Sequence, residues 1–377
     1  MRFGILKLAI PLATLAAFLA LPATTETSPG RAVVHEWGTF TSIAGADGQA
    51  VEWMPLGGPS DLPCFVHRTN MPKGSLPGRI RMETPVLYFY APFGASFDVN
   101  VGFKQGRITE WFPQAVRPPN GGSYIRWSNV KVAGPKASPL PVEAGKSHYY
   151  AARETEASPI QVDGATEKFL FYRGVADFAA PLSAVVQADG RVRVWNPSGA
   201  VLGDVILLEN RGGATGYQIR RVSGSEITMD RPVIDDESNP LDETLERMLT
   251  ARGLYPKEAK AMIETWKDSW FEEGSRIIYL VRPEFVESIL PIGITPTPAE
   301  MARVFVGRIE LLTPEAKNDL REGIAANDTT SLSKFGRFLP AFAQRLVADT
   351  PSAERPQLQQ KVNVLSAWQT SVQDRCR

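Results

Sequence analysis

The chain has 377 residues, 43% hydrophobic and 22% charged, a globular composition that excludes disordered and fibrous classes and suggests two or three domains at about 100 to 200 residues each. Lys plus Arg equals Asp plus Glu at 41 each, so no net charge marks the chain for nucleic acid or an anionic membrane. Gly (31) and Pro (30) are frequent, which favours many short strands over long helices.

At the N-terminus, Arg2 and Lys7 accompany an almost unbroken apolar run over 8–22, and Ala20, Ala23 and Thr24 supply small residues for cleavage. This reads as a secretory signal over 1–24. The run is shorter than the ~20 residues of a spanning helix, and no later segment is long or apolar enough, so no stable membrane span is expected after signal removal. The mature protein is therefore expected to be periplasmic or extracellular. In that oxidising setting Cys64 and Cys376 are candidates for a disulfide tying the end of the chain to its front half. The other reading makes Cys64 a small buried apolar residue and Cys376 a terminal thiol.

From 33 to 234, short apolar runs alternate with turn signals. His35 to Thr41 reads as a first strand, with His35, Trp37 and Thr39 on one face. The runs 85–90 and 168–172 are apolar on both faces, as in central strands covered on two sides. Phe97, Val99, Val101 and Phe103 alternate with polar residues and Gly, and with 108–112 across Lys104-Gln105-Gly106 they predict a hairpin. Asp189-Gly190 predicts a second hairpin between 182–186 and 192–194. The stretch 192–210, with Asn196-Pro197-Ser198-Gly199 as its turn, resembles a hairpin of an immunoglobulin-like sandwich.

Past Asp235-Asp236-Glu237 the apolar period becomes helical. Asn239 and Pro240 suit a helix start, Leu241, Leu245, Met248 and Leu249 form one face, and Gly253 stops it. A second helix starts at Pro256, with Ala259, Met262, Ile263, Trp266 and Trp270 on one stripe. Strands are expected at 277–281 and 303–311. Helices are expected at 284–290, from Thr313-Pro314-Glu315, at 335–347 and at 357–375. The expected fold class is α+β and multidomain: an N-terminal antiparallel β-sandwich region of one or two immunoglobulin-like sandwiches over 30–235, then an α+β, mostly helical region over 236–377.

Chemistry has few places to reside. The three histidines, His35, His67 and His148, all fall in the β-rich half, and with Glu36 or Glu83 they could supply the ligands of a transition metal ion such as zinc, copper or iron. The segment Cys64-Phe65-Val66-His67-Arg68-Thr69-Asn70-Met71 resembles the Cys, His, Met loop of blue-copper proteins, with His35 as a further ligand. In those proteins the loop follows a completed sandwich, and too little mature chain precedes Cys64 for that. A copper thiolate there would also exclude the disulfide. His35-Glu36-Trp37-Gly38-Thr39 begins like a zinc-protease helix motif but lacks its second His. Arg211 to Gly216 lacks the Lys-Ser/Thr ending of a phosphate loop and reads as a turn. Glu83 and Glu110 are a carboxylate pair whose separation the sequence does not give.

Sandwiches that bind sugars present aromatic faces, and Trp37, Tyr149 and Tyr150 are the candidates singled out for that role. Two functions from different classes follow. The first is an exported binding protein whose sandwich surface recognises a carbohydrate or an envelope protein. The second is a metal-dependent enzyme built on His35, His67 and His148.

Overall fold

The computed structural model describes residues 32–57, 62–70, 76–118, 122–134, 137–145, 147–234, 241–370 and 376. The expected signal segment, Met71, the acidic stretch at 235–237 and the expected helix start at 239–240 lie outside them.

In chain order the first strands are β1 (Val33–Ile43), β2 (His67–Arg68), β3 (Ile80–Tyr90), β4 (Ser96–Gly102), β5 (Gly106–Phe112) and β6 (Tyr124–Val132). A 3-10 turn at His148–Arg153 leads to β7 (Ile160–Val162), β8 (Ala165–Glu167), β9 (Leu170–Ala176), β10 (Ser183–Val186) and β11 (Val192–Trp195). Next come β12 (Gly203–Arg211), β13 (Ala214–Val222) and β14 (Glu226–Met229). Helices then enter: α1 (Leu241–Thr250), α2 (Pro256–Trp270), β15 (Gly274–Leu280), α3 (Pro283–Ile289), β16 (Ile292–Thr295) and β17 (Glu300–Leu311). They are followed by α4 (Pro314–Ala326), α5 (Thr329–Ser333), α6 (Leu339–Ala348) and α7 (Arg355–Thr370).

The framework is a nine-stranded sheet in the order β13-β12-β15-β17-β1-β3-β9-β5-β2. Its β1–β17 pair is parallel and its other pairs are antiparallel. Two small sheets, β16-β4-β6-β7-β8 and β10-β11-β14, complete the β structure. Strand alternation sorts the large sheet's side chains. Val205 and Leu207 join Phe40, Leu87 and the small-sheet residues Val99, Trp127 and Val194 in one core. Ile206 and Leu208 join Trp37, Tyr88 and Phe171 with Leu245, Met262 and Trp266 of the helices in another. A sheet covered on both faces explains why β3 and β9 are apolar throughout. A third core, Ile43, Trp53 and Leu312 with Leu320, Ile324, Phe342 and Leu346, seats the C-terminal helices.

The helical periods are realised: Leu241, Leu245 and Leu249 of α1 and Ala259, Met262, Ile263, Trp266 and Trp270 of α2 are buried. Thr313 caps α4, its side chain accepting from the Ala316 N–H at 3.2 Å. The Asp189-Gly190 hairpin is also present, with Val186 opposite Val192.

Two expectations are corrected. The runs 97–103 and 108–112 are not partners: the chain turns a corner where the Gly106 N–H donates to the Phe103 carbonyl, β4 pairs with β6 and β16, and β5 pairs with β9 and β2. Likewise 192–210 is not a hairpin, because β11 stays in the small sheet while β12 crosses to the large one. Period two tells which residues share a face and not which strand lies alongside. β15 and β17 lie between β12 and β1, so strands from both sides of residue 235 share the large sheet. The β structure is sandwich-like, but its largest sheet contains a parallel pair and carries helices on one face, unlike the two antiparallel sheets of an immunoglobulin-like domain.

No helix among the described residues is long and apolar enough to cross a membrane. Cys64 and Cys376 form a disulfide, with a Cα–Cα distance of 5.2 Å over a separation of 312 residues. Cys64 is therefore not a free thiolate for copper.

Candidate functional site

The hairpin β12–β13 ends the large sheet, and its turn at 212–213 is held by the Gly213 N–H donating to Asn210 Oδ1 at 3.0 Å. Tyr217 and Ile219 of β13 pack toward α1, whose leucine stripe is buried beneath. Helical spacing then turns Thr244, Arg247, Met248 and Ala251 toward the hairpin, since positions three and four apart share a face. The result is an open groove of about 740 Å3 lined by these residues together with Gly203, Asp204, Ile219, Arg221 and Arg252.

The groove is basic although the chain is neutral. Arg221 pairs across the hairpin with Asp204, at 2.7 Å from Nε and 2.9 Å from Nη2. Those hydrogen bonds, with the Arg221 and Arg252 charges outweighing burial, hold the Asp204 carboxyl below its ordinary range. Arg247 Nη2 donates to Thr244 Oγ1 at 2.8 Å. Arg220, beside Arg221 on β13 but outside the groove's lining, donates to the Ile219 carbonyl at 3.2 Å. The Arg221, Arg247 and Arg252 guanidiniums are exposed, and Asp204 is the one carboxylate lining the groove among the described residues. Guanidinium forks match carboxylates and phosphates bidentately, so this arrangement suits an anionic ligand.

The residues singled out from sequence lie elsewhere. His35 is fully buried, its Nδ1 2.7 Å from Glu258 Oε2. His67 is half-buried and stacks on Trp111 and Phe112. Burial, followed by the Arg117 charge, lowers its pKa. His148 stands at the surface 3.7 Å from Asp268. Among the described residues no three His, Cys, Asp or Glu side chains gather as a metal-binding group, so the structure does not bring the three histidines together with Glu36 or Glu83. Glu36 accepts from the Tyr172 hydroxyl and pairs with Arg303 Nε at 2.6 Å. Trp37 and Tyr149 are buried in the helix-side core and offer no open ring face. Tyr150 is half-buried, its hydroxyl accepting from the Glu143 N–H at 3.0 Å.

Glu83 belongs to a buried ionic network. It accepts from Thr41 Oγ1 at 2.8 Å and pairs with Arg81, at 3.2 Å, and with Arg337. Burial alone would raise its pKa, but the charges of Arg337, Arg81 and Arg308 prevail and hold the carboxyl at about 2. Glu310 is likewise lowered against burial by Arg276 and Arg308, and Arg308 reaches on to Glu272 and Ser269 at the end of α2. Next to Glu83, Thr84 adopts φ 46° at the irregularity between Met82 and Val86. That conformation is rare for a β-branched residue, and it lies where the strand delivers its carboxylate to the arginines. Opposite, a Cβ on Gly38 would stand 2.8 Å from Phe305 Cε1 and 3.2 Å from Pro85 Cα, so only glycine fits there without displacement.

Sequence reading missed the groove and the network. The signal for the network was present: charges inside strands otherwise buried on both faces, such as Arg308 and Glu310, require partners. The groove's signal was the Arg220-Arg221 doublet, but nothing local places it beside Arg247 and Arg252.

No family model and no curated protein matches the chain. Among solved structures, the chain is similar over 74% of its length, and 96% of the other chain, to the yeast delta-COP-I mu-homology domain complexed with Dsl1 WxWxV peptide, at 9% identity and a TM-score of 0.26. A likeness of that size carries no argument about fold or function.

Proposed function

We propose that this is an exported binding protein that recognises an acidic partner protein through the groove between β12–β13 and α1. The observation that carries the reading is the set of exposed guanidiniums on Arg221, Arg247 and Arg252 lining the groove, with Asp204 the one carboxylate lining it among the described residues. Many charges elsewhere are engaged internally, as in the Glu83 and Glu310 network. Export is supported by the apolar run at 8–22 and by the Cys64–Cys376 disulfide, a bond that persists in oxidising compartments.

The test uses polyglutamate as a stand-in for the acidic partner. Binding is measured on the disulfide-bonded protein at low and high ionic strength, with Arg221→Glu/Arg247→Glu/Arg252→Glu as the variant. The expected result is salt-sensitive binding that weakens by about tenfold or more on charge reversal. Equal binding by wild type and variant, or none by either, overturns the reading.

A further inference from the structure

We infer that the outer edge of β13 and the arginine groove together form a strand-addition site for an extended acidic segment of a partner protein, an inference that rests on the acidic-partner reading above. The sheet order leaves β13 at one end. Its nine residues all pair inward with β12, from Gly203↔Val222 to Arg211↔Ala214. Among the described residues no backbone hydrogen bond reaches it from outside. The opposite end of the sheet is closed differently, by the two-residue strand β2. The backbone of Val233 and Ile234 lies against Gly216, so the open part of the edge is 217–222, about 20 Å at about 3.3 Å per residue, a ready template for another strand.

The side chains along that edge define what it would accept. Ile219 and Arg221 alternate onto the groove side, where Arg247 and Arg252 stand on and just beyond α1. Arg220 projects between them in sequence and so faces the other side of the sheet. A segment laid along β13 would gain main-chain hydrogen bonds from the edge and specificity from alternate side chains. Acidic residues at every second position would meet the groove arginines, and an apolar residue between them would find Val222, which packs partly buried on the opposite core. A second copy of this chain is the poorer occupant, because two β13 edges would bring Arg220 and Arg221 of each copy together, and like charges across a strand pair repel.

The experiment uses the disulfide-bonded protein and a labelled peptide of about eight residues alternating Glu and Val, the length of one strand. A second peptide of the same sequence carries N-methyl groups on alternate backbone nitrogens, which keeps every charge and removes the donors a strand needs. The Glu-Val peptide should bind, should slow amide exchange over 217–222, and should lose about tenfold or more in affinity when N-methylated. The Arg221→Glu/Arg247→Glu/Arg252→Glu variant should lose both effects. Equal binding of the two peptides, sensitive to charge reversal, overturns strand addition while leaving the acidic-partner reading intact. Absence of binding by either peptide and by polyglutamate overturns both. Sedimentation showing a dimer that protects 217–222 without peptide overturns the choice of occupant.

Discussion

His35 Nδ1 lies 2.7 Å from Glu258 Oε2, joining β1 to the first turn of α2 across 223 residues of sequence. The same carboxylate oxygen accepts the Tyr255 N–H at 2.7 Å, so one side chain caps α2 and fixes the helix over the sheet. Both partners are fully buried. Removing Glu258 leaves the His35 Nδ1 buried without this partner, and removing His35 leaves Glu258 Oε2 with only the Tyr255 N–H, at a cost of about 3 to 5 kcal/mol. His35→Ala and Glu258→Ala should each lower the unfolding free energy measured in urea by that much, and the double variant should lose less than the sum. Additive losses in this cycle would show that the pair is not coupled.

Glu83 makes stability depend on acid pH. Its folded value of about 2 lies below the ordinary 4.5. Its contribution is therefore complete above about pH 4.5 and is lost as the pH falls toward 2, on the order of 3 kcal/mol in all. Glu83→Gln should be less stable at neutral pH, and between pH 5 and 2.5, endpoints set at about the ordinary and folded pKa values, its stability should fall with a slope reduced by up to about one proton. An unchanged slope would separate Glu83 from acid unfolding.

The Cys64–Cys376 disulfide closes nearly the whole described chain into one loop. Cross-links over long loops restrict the unfolded ensemble, with typical contributions of about 2 to 4 kcal/mol. Cys64→Ser/Cys376→Ser should lower stability in that range. The wild type, but not this variant, should shift mobility on non-reducing electrophoresis when reduced. Equal denaturation midpoints would remove the stabilising role.

Gly38 sits where β1 passes closest to Phe305 and Pro85. Phe305 is fully buried and the Pro85 contact is to backbone, so neither neighbour yields easily. Gly38→Ala should cost about 1 to 3 kcal/mol by overpacking, read as a lowered thermal midpoint. Wild-type stability would mean that the strands part without cost.

The local sequence was enough to place the strands buried on both faces, the Asp189-Gly190 hairpin and the amphipathic helices α1 and α2, because side-chain period and turn chemistry act over a few residues. Leu245, Trp266 and Phe171 announce their burial in that way. Cys64 and Cys376 could be named as a pair from their number alone. Which strands become neighbours was decided only in three dimensions: β17 inserts beside β1, and β4 leaves β5 for another sheet, because many alternating runs can satisfy the same edge and long-range packing selects among them. The candidate site belongs to that second kind. Arg221 and Arg247 meet because β13 ends the sheet and α1 crosses its face, whereas His35, His67 and His148, grouped along the chain, are dispersed by the same folding into a core, an aromatic stack and the surface.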